Sequence, residues 1–157
     1  MADSVKLSEI VERMDSHTYW TTFYLNKETG EIIPIMNEEF CMAKNLFLLE
    51  EQPDGKQDIR KIARDILDGD EKYIRIPSKF DIDEFSIMER FCFSIEDDRI
   101  SKSLSHALKG KFAVQNFKQA IIRLGVVEEW YGYRNMELRI IAKKWCEKND
   151  IDFTEDI

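Results

Sequence analysis

The apolar positions of this chain change period as they are followed from one end to the other, and the changes mark its elements. Leu7, Ile10, Val11 and Met14 fall at i, i+3, i+4 and i+7, the spacing of one helix face. Ser4 or Asp3 is placed to supply the N-cap oxygen. From Thr18 to Asn26, TYWTTFYLN, the helical period is lost and β-branched and aromatic residues take over, which predicts a strand. The turn Lys27 to Gly30, KETG, leads into a second strand, Glu31 to Met36. Pro34 cannot donate to a ladder, so this second strand should lie at an edge or leave the pairing there. A lone hairpin is marginal in water, so its apolar face must pack on helices.

Asn37 reads as the N-cap of a short helix marked by Phe40, Ala43 and Phe47 and ending near Leu49, with Glu38 and Glu39 favourably placed against its dipole. Gln52 to Lys56, QPDGK, is a loop. Ile59, Ile62, Ala63, Ile66 and Leu67 form an apolar stripe that stops at Asp68-Gly69, and Tyr73 to Ile76 reads as a short third strand ended by Pro77. Tyr73 to Trp145 then sets one apolar helical face after another. Phe85, Met88, Phe91, Cys92 and Ile95 mark a helix opened by the acidic turn Asp81 to Glu84, and Ile87 and Phe93 widen its apolar surface, so it is expected to be central. Ile100, Leu104, Ala107 and Leu108 follow, then Gly110. Val114, Phe117, Ile121 and Leu124 come next, then Gly125. Val127, Trp130, Tyr131, Leu138, Ile141, Ala142 and Trp145 give the last and longest helix, and the residues after Asp150 are expected to fray.

The expected fold is α+β and predominantly helical, an N-terminal β-hairpin packed on a multi-helix bundle of about six helices. With no repeat, low-complexity tract or linker in 157 residues, a single domain is expected. Within it, 1–76 hold the first helix, the hairpin and the connecting helices; 77–150 are the helical core and 151–157 a tail.

Composition narrows the function classes. Hydrophobic residues at 43% and charged residues at 34% are the balance of a soluble globular protein. No apolar run is long enough to span a bilayer, and the acidic, amphipathic N-terminus lacks a signal-peptide profile, so the expected location is cytoplasmic and no membrane partner is expected. Cys41, Cys92 and Cys146 are far apart and odd in number, which predicts reduced structural thiols rather than a disulfide framework or zinc knuckle. The net charge of -8 is uneven: residues 101–144 carry 9 Lys and Arg against 3 Asp and Glu. A protein so acidic elsewhere is no general nucleic-acid coat, but this segment could present a basic face.

The pieces KETGEI, IARDIL, YIRIPSKFDIDEFSIMERFCFSIED, KGKFAVQNFK, WYGYR and IAKKWCEKNDI resemble, in order and over nearly the whole chain, an uncharacterised bacterial protein family of the UPF type, UPF0158-like. The resemblance implies a small cytoplasmic bacterial protein without an agreed activity, cofactor or catalytic residue. The family often carries a glycine and a pair of arginines where this chain has Phe112, Gln115 and Asn116, while Phe117 and Lys118 are kept. A role that needs two adjacent arginines there is therefore not implied.

The residues offer little catalytic chemistry. His17 precedes the hairpin, and His106, beside Ser103 and Ser105 on one helix, lacks the third orienting group of a triad, so both read as surface or packing residues. Asp81, Asp83 and Glu84 resemble the opening of a calcium loop, but the glycine and the final glutamate are missing, and acids at a helix N-terminus explain them, as they explain Glu96, Asp97 and Asp98. Gly110-Lys111 lacks the first glycine of a phosphate loop. No catalytic residue, metal site or cofactor is expected. The basic and aromatic segment supplies the candidate binding residues Lys109, Lys111, Lys118, Tyr131, Tyr133 and Arg134. A Tyr-Arg cluster offers large area and planar hydrogen bonding, the chemistry of a protein-protein hot spot. The expected function is thus a non-enzymatic binding or adaptor protein that recognises another protein through this aromatic-basic face. The alternatives are RNA or single-stranded nucleic acid held by residues 102–144, and an enzyme of unrecognised type.

Overall fold

The computed structural model describes residues 4–44 and 57–156. It is α+β and predominantly helical, and the chain divides into two compact units: residues 1–79 with 142–157, and residues 80–141.

The first unit is built on a three-stranded antiparallel sheet. Its central strand is β2 (Thr21–Asn26), flanked by β3 (Ile32–Met36) and β4 (Tyr73–Arg75). Register pairs Phe23 with Pro34, so the proline lies on an edge strand, where its missing N–H costs least. Strand β2 begins later than its β-rich sequence predicts. The Thr18 hydroxyl accepts hydrogen bonds from the amides of Trp20 and Thr21 and holds that stretch in a turn, leaving Tyr19 and Trp20 exposed.

The sheet buries both faces rather than one. Tyr24 and Ile33, which are paired, lie with Ile35 on the face that meets Phe40 and Ala43 of α2 (Asn37–Ala43) and Ile59, Ile62, Ala63 and Ile66 of α3 (Gln57–Leu67). Phe23 points the other way, to the His17 ring 5.0 Å away and the Arg13 guanidinium at 5.5 Å, at the end of α1 (Leu7–Ser16). His17 is buried, a packing residue, whereas His106 is exposed.

Two caps differ from expectation. Ser4 does not cap α1, since its Oγ bonds to Thr154 Oγ1 at 2.8 Å; Asp3 lies outside the described residues. The cap comes instead from Asp156, whose carboxylate accepts from the Ser8 amide (3.0 Å) and the Ser8 hydroxyl, so its pKa is lowered. Asn37 is the first helical residue of α2, not its cap, and its Nδ2 donates to the Tyr19 carbonyl at 2.8 Å. Glu39, read from sequence as a dipole acid, is buried and accepts from Arg60 Nε of α3 at 2.9 Å. Phe47, Leu49 and the 52–56 loop lie outside the described residues.

Nor do the residues after Asp150 fray. Strand β5 (Phe153–Thr154) runs parallel to β1 (Val5–Lys6), and Ile151 is buried. Asp150 makes this possible by taking a left-handed conformation (φ 55°), so that the Ile151 amide reaches back to the Cys146 carbonyl at 2.8 Å.

The second unit is helical: α4 (Glu84–Ser94), α5 (Asp98–Ala107), α6 (Ala113–Arg123) and the first part of α7 (Val127–Lys148). Asp83 caps α4 by accepting from the Ser86 amide and hydroxyl, and Asp97 caps α5 by accepting from the amides of Arg99 and Ile100. The acidic runs are thus helix starts, as their positions suggest. Gly125 (φ 71°) closes α6, letting the Val126 amide bond to the Ile121 carbonyl at 2.9 Å. At the centre Phe91, Phe117 and Trp130 meet edge to face, with ring centroids 4.9 to 6.2 Å apart. Phe93 is no part of this core. It lies about 200° around α4 from Phe91 and is 82% exposed.

Candidate functional site

The six candidate binding residues all fall in residues 80–141, but they do not form one face. Lys109 and Lys111 sit in the connection between α5 and α6, and Lys118 on the outer side of α6, all exposed. Tyr131, Tyr133 and Arg134 are close in sequence, yet α7 turns about 100° per residue, so Tyr133 points away from Tyr131, and Arg134, although on the Tyr131 side, is engaged by Glu84. Tyr131 is exposed at 57%. Tyr133 folds inward onto Phe91, with ring centroids 5.5 Å apart. Arg134 is mostly buried, its Nε donating to Glu84 Oε1. The expected open Tyr-Arg surface is therefore reduced to Tyr131, because the other two side chains are committed within the unit.

What Tyr133 helps to build is a broad, open groove of about 560 Å³. The C-terminal turn of α4, the link to α5 and the first half of α7 form it. Phe91, Ile95, Val126, Tyr133 and Met136 make its apolar surface, while Ser94, Glu96 and Glu129 add polar atoms. Beside it Arg90 forks onto Glu137, Nη2 to Oε2 at 2.9 Å and Nε to Oε1 at 3.5 Å. This pairing raises the arginine pKa, and burial followed by the nearby Glu137 raises that of Tyr133. Tyr133 is thus a neutral, fixed wall at neutral pH.

Gly132 also lines the groove. It lies inside a helix, where glycine costs about 1 kcal/mol relative to alanine. A Cβ added there would meet nothing within 4 Å, so no packing among the described residues accounts for it. The groove was not foreseen from sequence, although a glycine between Tyr131 and Tyr133, inside a strongly helical stretch, is the signal that points to it.

A second hollow, about 290 Å³, lies between α4 and α5 and is lined by Phe85, Phe93, Cys92, Ser105 and Lys109 among others. Cys92 is not poised as a nucleophile there, since burial raises its thiol pKa despite the hydrogen bond from Ser105. Burial also pushes Cys146 up to about 11, and all three cysteines are free thiols. Among the described residues, no group of three or more His, Cys, Asp or Glu is placed to hold a metal ion, and no helix is long and apolar enough to cross a membrane.

Fold and site together define a mixed α+β protein whose helical unit carries an open, acid-edged apolar groove. The chain belongs to UPF0158, an uncharacterised protein family, with the match running over residues 6–156. It is 30% identical over 66 residues to the UPF0158 protein PA5073 of Pseudomonas aeruginosa, covering 41% of this chain and 43% of that protein. No solved structure matches.

Proposed function

We propose that this is a non-enzymatic binding protein of the cytoplasm that recognises another protein through the groove of residues 80–141. The observation that carries the reading is the groove itself: a wide apolar surface in the open, with bare helix backbone at Gly132 and Tyr131 exposed on the same helix. Apolar surface left in water without an internal use marks an interaction site, and aromatic residues make its anchors.

A photo-crosslinking amino acid at Met136, in the groove, tests this against one at Glu71, an exposed position of the other unit. The expected result is a discrete protein adduct from Met136 that survives nuclease and moderate salt and is lost in Gly132→Leu. No adduct specific to Met136 would remove the reading.

Lys111 adjoins an exposed ring, Phe112, and Lys118 is exposed on the helix that follows, and this favours a second reading, single-stranded nucleic acid bound by phosphate contacts and base stacking. It requires binding that weakens steeply with salt and with Lys111→Glu and Lys118→Glu.

A further inference from the structure

We propose that one occupant of the groove is a second copy of this chain, inserting the outer stripe of its own α6. The inference rests on the protein-binding reading above and names the partner. Helix α6 has two apolar sides. Phe117, Ala120 and Ile121 are buried, but Val114 and Ile122 are 44% and 69% exposed, and Phe112 just before the helix is 64% exposed. Val114, Lys118 and Ile122 are spaced i, i+4, i+8, so they form one continuous outer stripe, with Lys118 between the apolar residues and Lys111 at its head.

The groove is the complement of that stripe. Its surface is mainly apolar, as the stripe is, and its polar edge carries Glu96 and Glu129, opposite in sign to the two lysines of the stripe. Gly132 leaves no side chain between the α7 backbone and an incoming helix, which allows close approach. Charge pairing of this kind fixes orientation and speeds encounter, and apolar contact holds the result. Because groove and stripe are different surfaces, a pair joined by one such contact leaves the stripe of one copy and the groove of the other free. Association is then head to tail and continues into a ring or a chain.

Two single substitutions and their mixture test this by sedimentation across the micromolar to sub-millimolar range. Wild type should form a series of species that grows with concentration and shrinks with salt. Gly132→Leu, which fills the groove, and Ile122→Asp, which spoils the stripe, should each stay monomeric with unchanged circular dichroism; Met136→Asp replaces the first if it misfolds. Mixed in equal amounts, the two variants retain one intact stripe and one intact groove between them, and should form a dimer and nothing larger. A monomeric wild type, a variant that still associates alone, or a mixture that does not pair would each overturn the proposal. In any of those cases, a Met136 adduct to a different protein would leave the protein-binding reading standing, and loss of that adduct would end both.

Discussion

In residues 80–141 the buried centre is three aromatic rings meeting edge to face, supplied by α4, α6 and α7 within one continuous stretch of chain. The other unit centres on a sheet covered on both faces, with a charged pair, Glu39 and Arg60, buried between two helices. The surfaces differ as well. The helical unit carries 9 basic against 10 acidic residues, and the sheet unit 14 against 21, so nearly all of the net negative charge belongs to the latter. The comparison teaches that one chain uses two kinds of specificity. Shape and area order the helical unit. Register and polar pairing order the sheet unit, whose apolar residues alone would permit other arrangements.

The largest effect expected from this contrast is in the aromatic trio. Phe117→Ala removes a fully buried ring that touches both other rings, and should cost about 3–5 kcal/mol in urea unfolding. A loss under about 1 kcal/mol would mean that the trio is not the centre. Next comes the buried pair. Arg60→Leu removes the Nε donor from the buried Glu39 carboxylate, with both side chains only 4% exposed, and should cost about 3 kcal/mol. Adding Glu39→Leu should recover most of that loss, since two apolar groups need no partner. If the double variant is no better than the single, charge pairing is not what the site depends on.

The smallest effect separates the units by pH. The carboxyl groups of Asp156 in the sheet unit and Asp83 in the helical unit both have lowered pKa values, each through hydrogen bonds from a serine. A depressed carboxylate adds stability that is fully present above its unfolded pKa, about 3.9, and is lost as pH falls through the lower folded value. Asp156→Asn should therefore lower the thermal midpoint at neutral pH, and the gap from wild type should close under strong acid. A gap that widened under acid would reverse the sign and refute the cap.

The helical unit was legible in sequence because its signals are local. Asp83 and Asp97 stand where capping acids belong, the apolar stripes keep one period, and Gly110 and Gly125 both take positive φ at the helix ends. The edge position of β3 followed from Pro34 alone. What sequence did not reveal lies in long-range pairs. Glu39 and Arg60 are 21 residues apart and each looks like a solvated helix residue, while β1 and β5 are two residues long and pair across the length of the chain. The placement of the candidate residues was illegible for a different reason. Tyr133 lies two residues from Tyr131 and so faces another way, and only the packing around Phe91 and the pairing of Arg134 with Glu84 decide which of the three side chains stays open.

The sheet unit is made of two separated stretches of chain, with the whole helical unit lying between them. During synthesis this imposes an order. Residues 80–141 are complete as soon as they leave the ribosome, but β1 and the start of α1 must wait for Phe153–Thr154 and Asp156. The 147 residues between Lys6 and Thr154 represent roughly 7–30 s of translation at typical rates. For that interval the strand edge at Val5–Lys6 lacks its partner. The nascent chain is therefore most exposed to mispairing at the end that was made first.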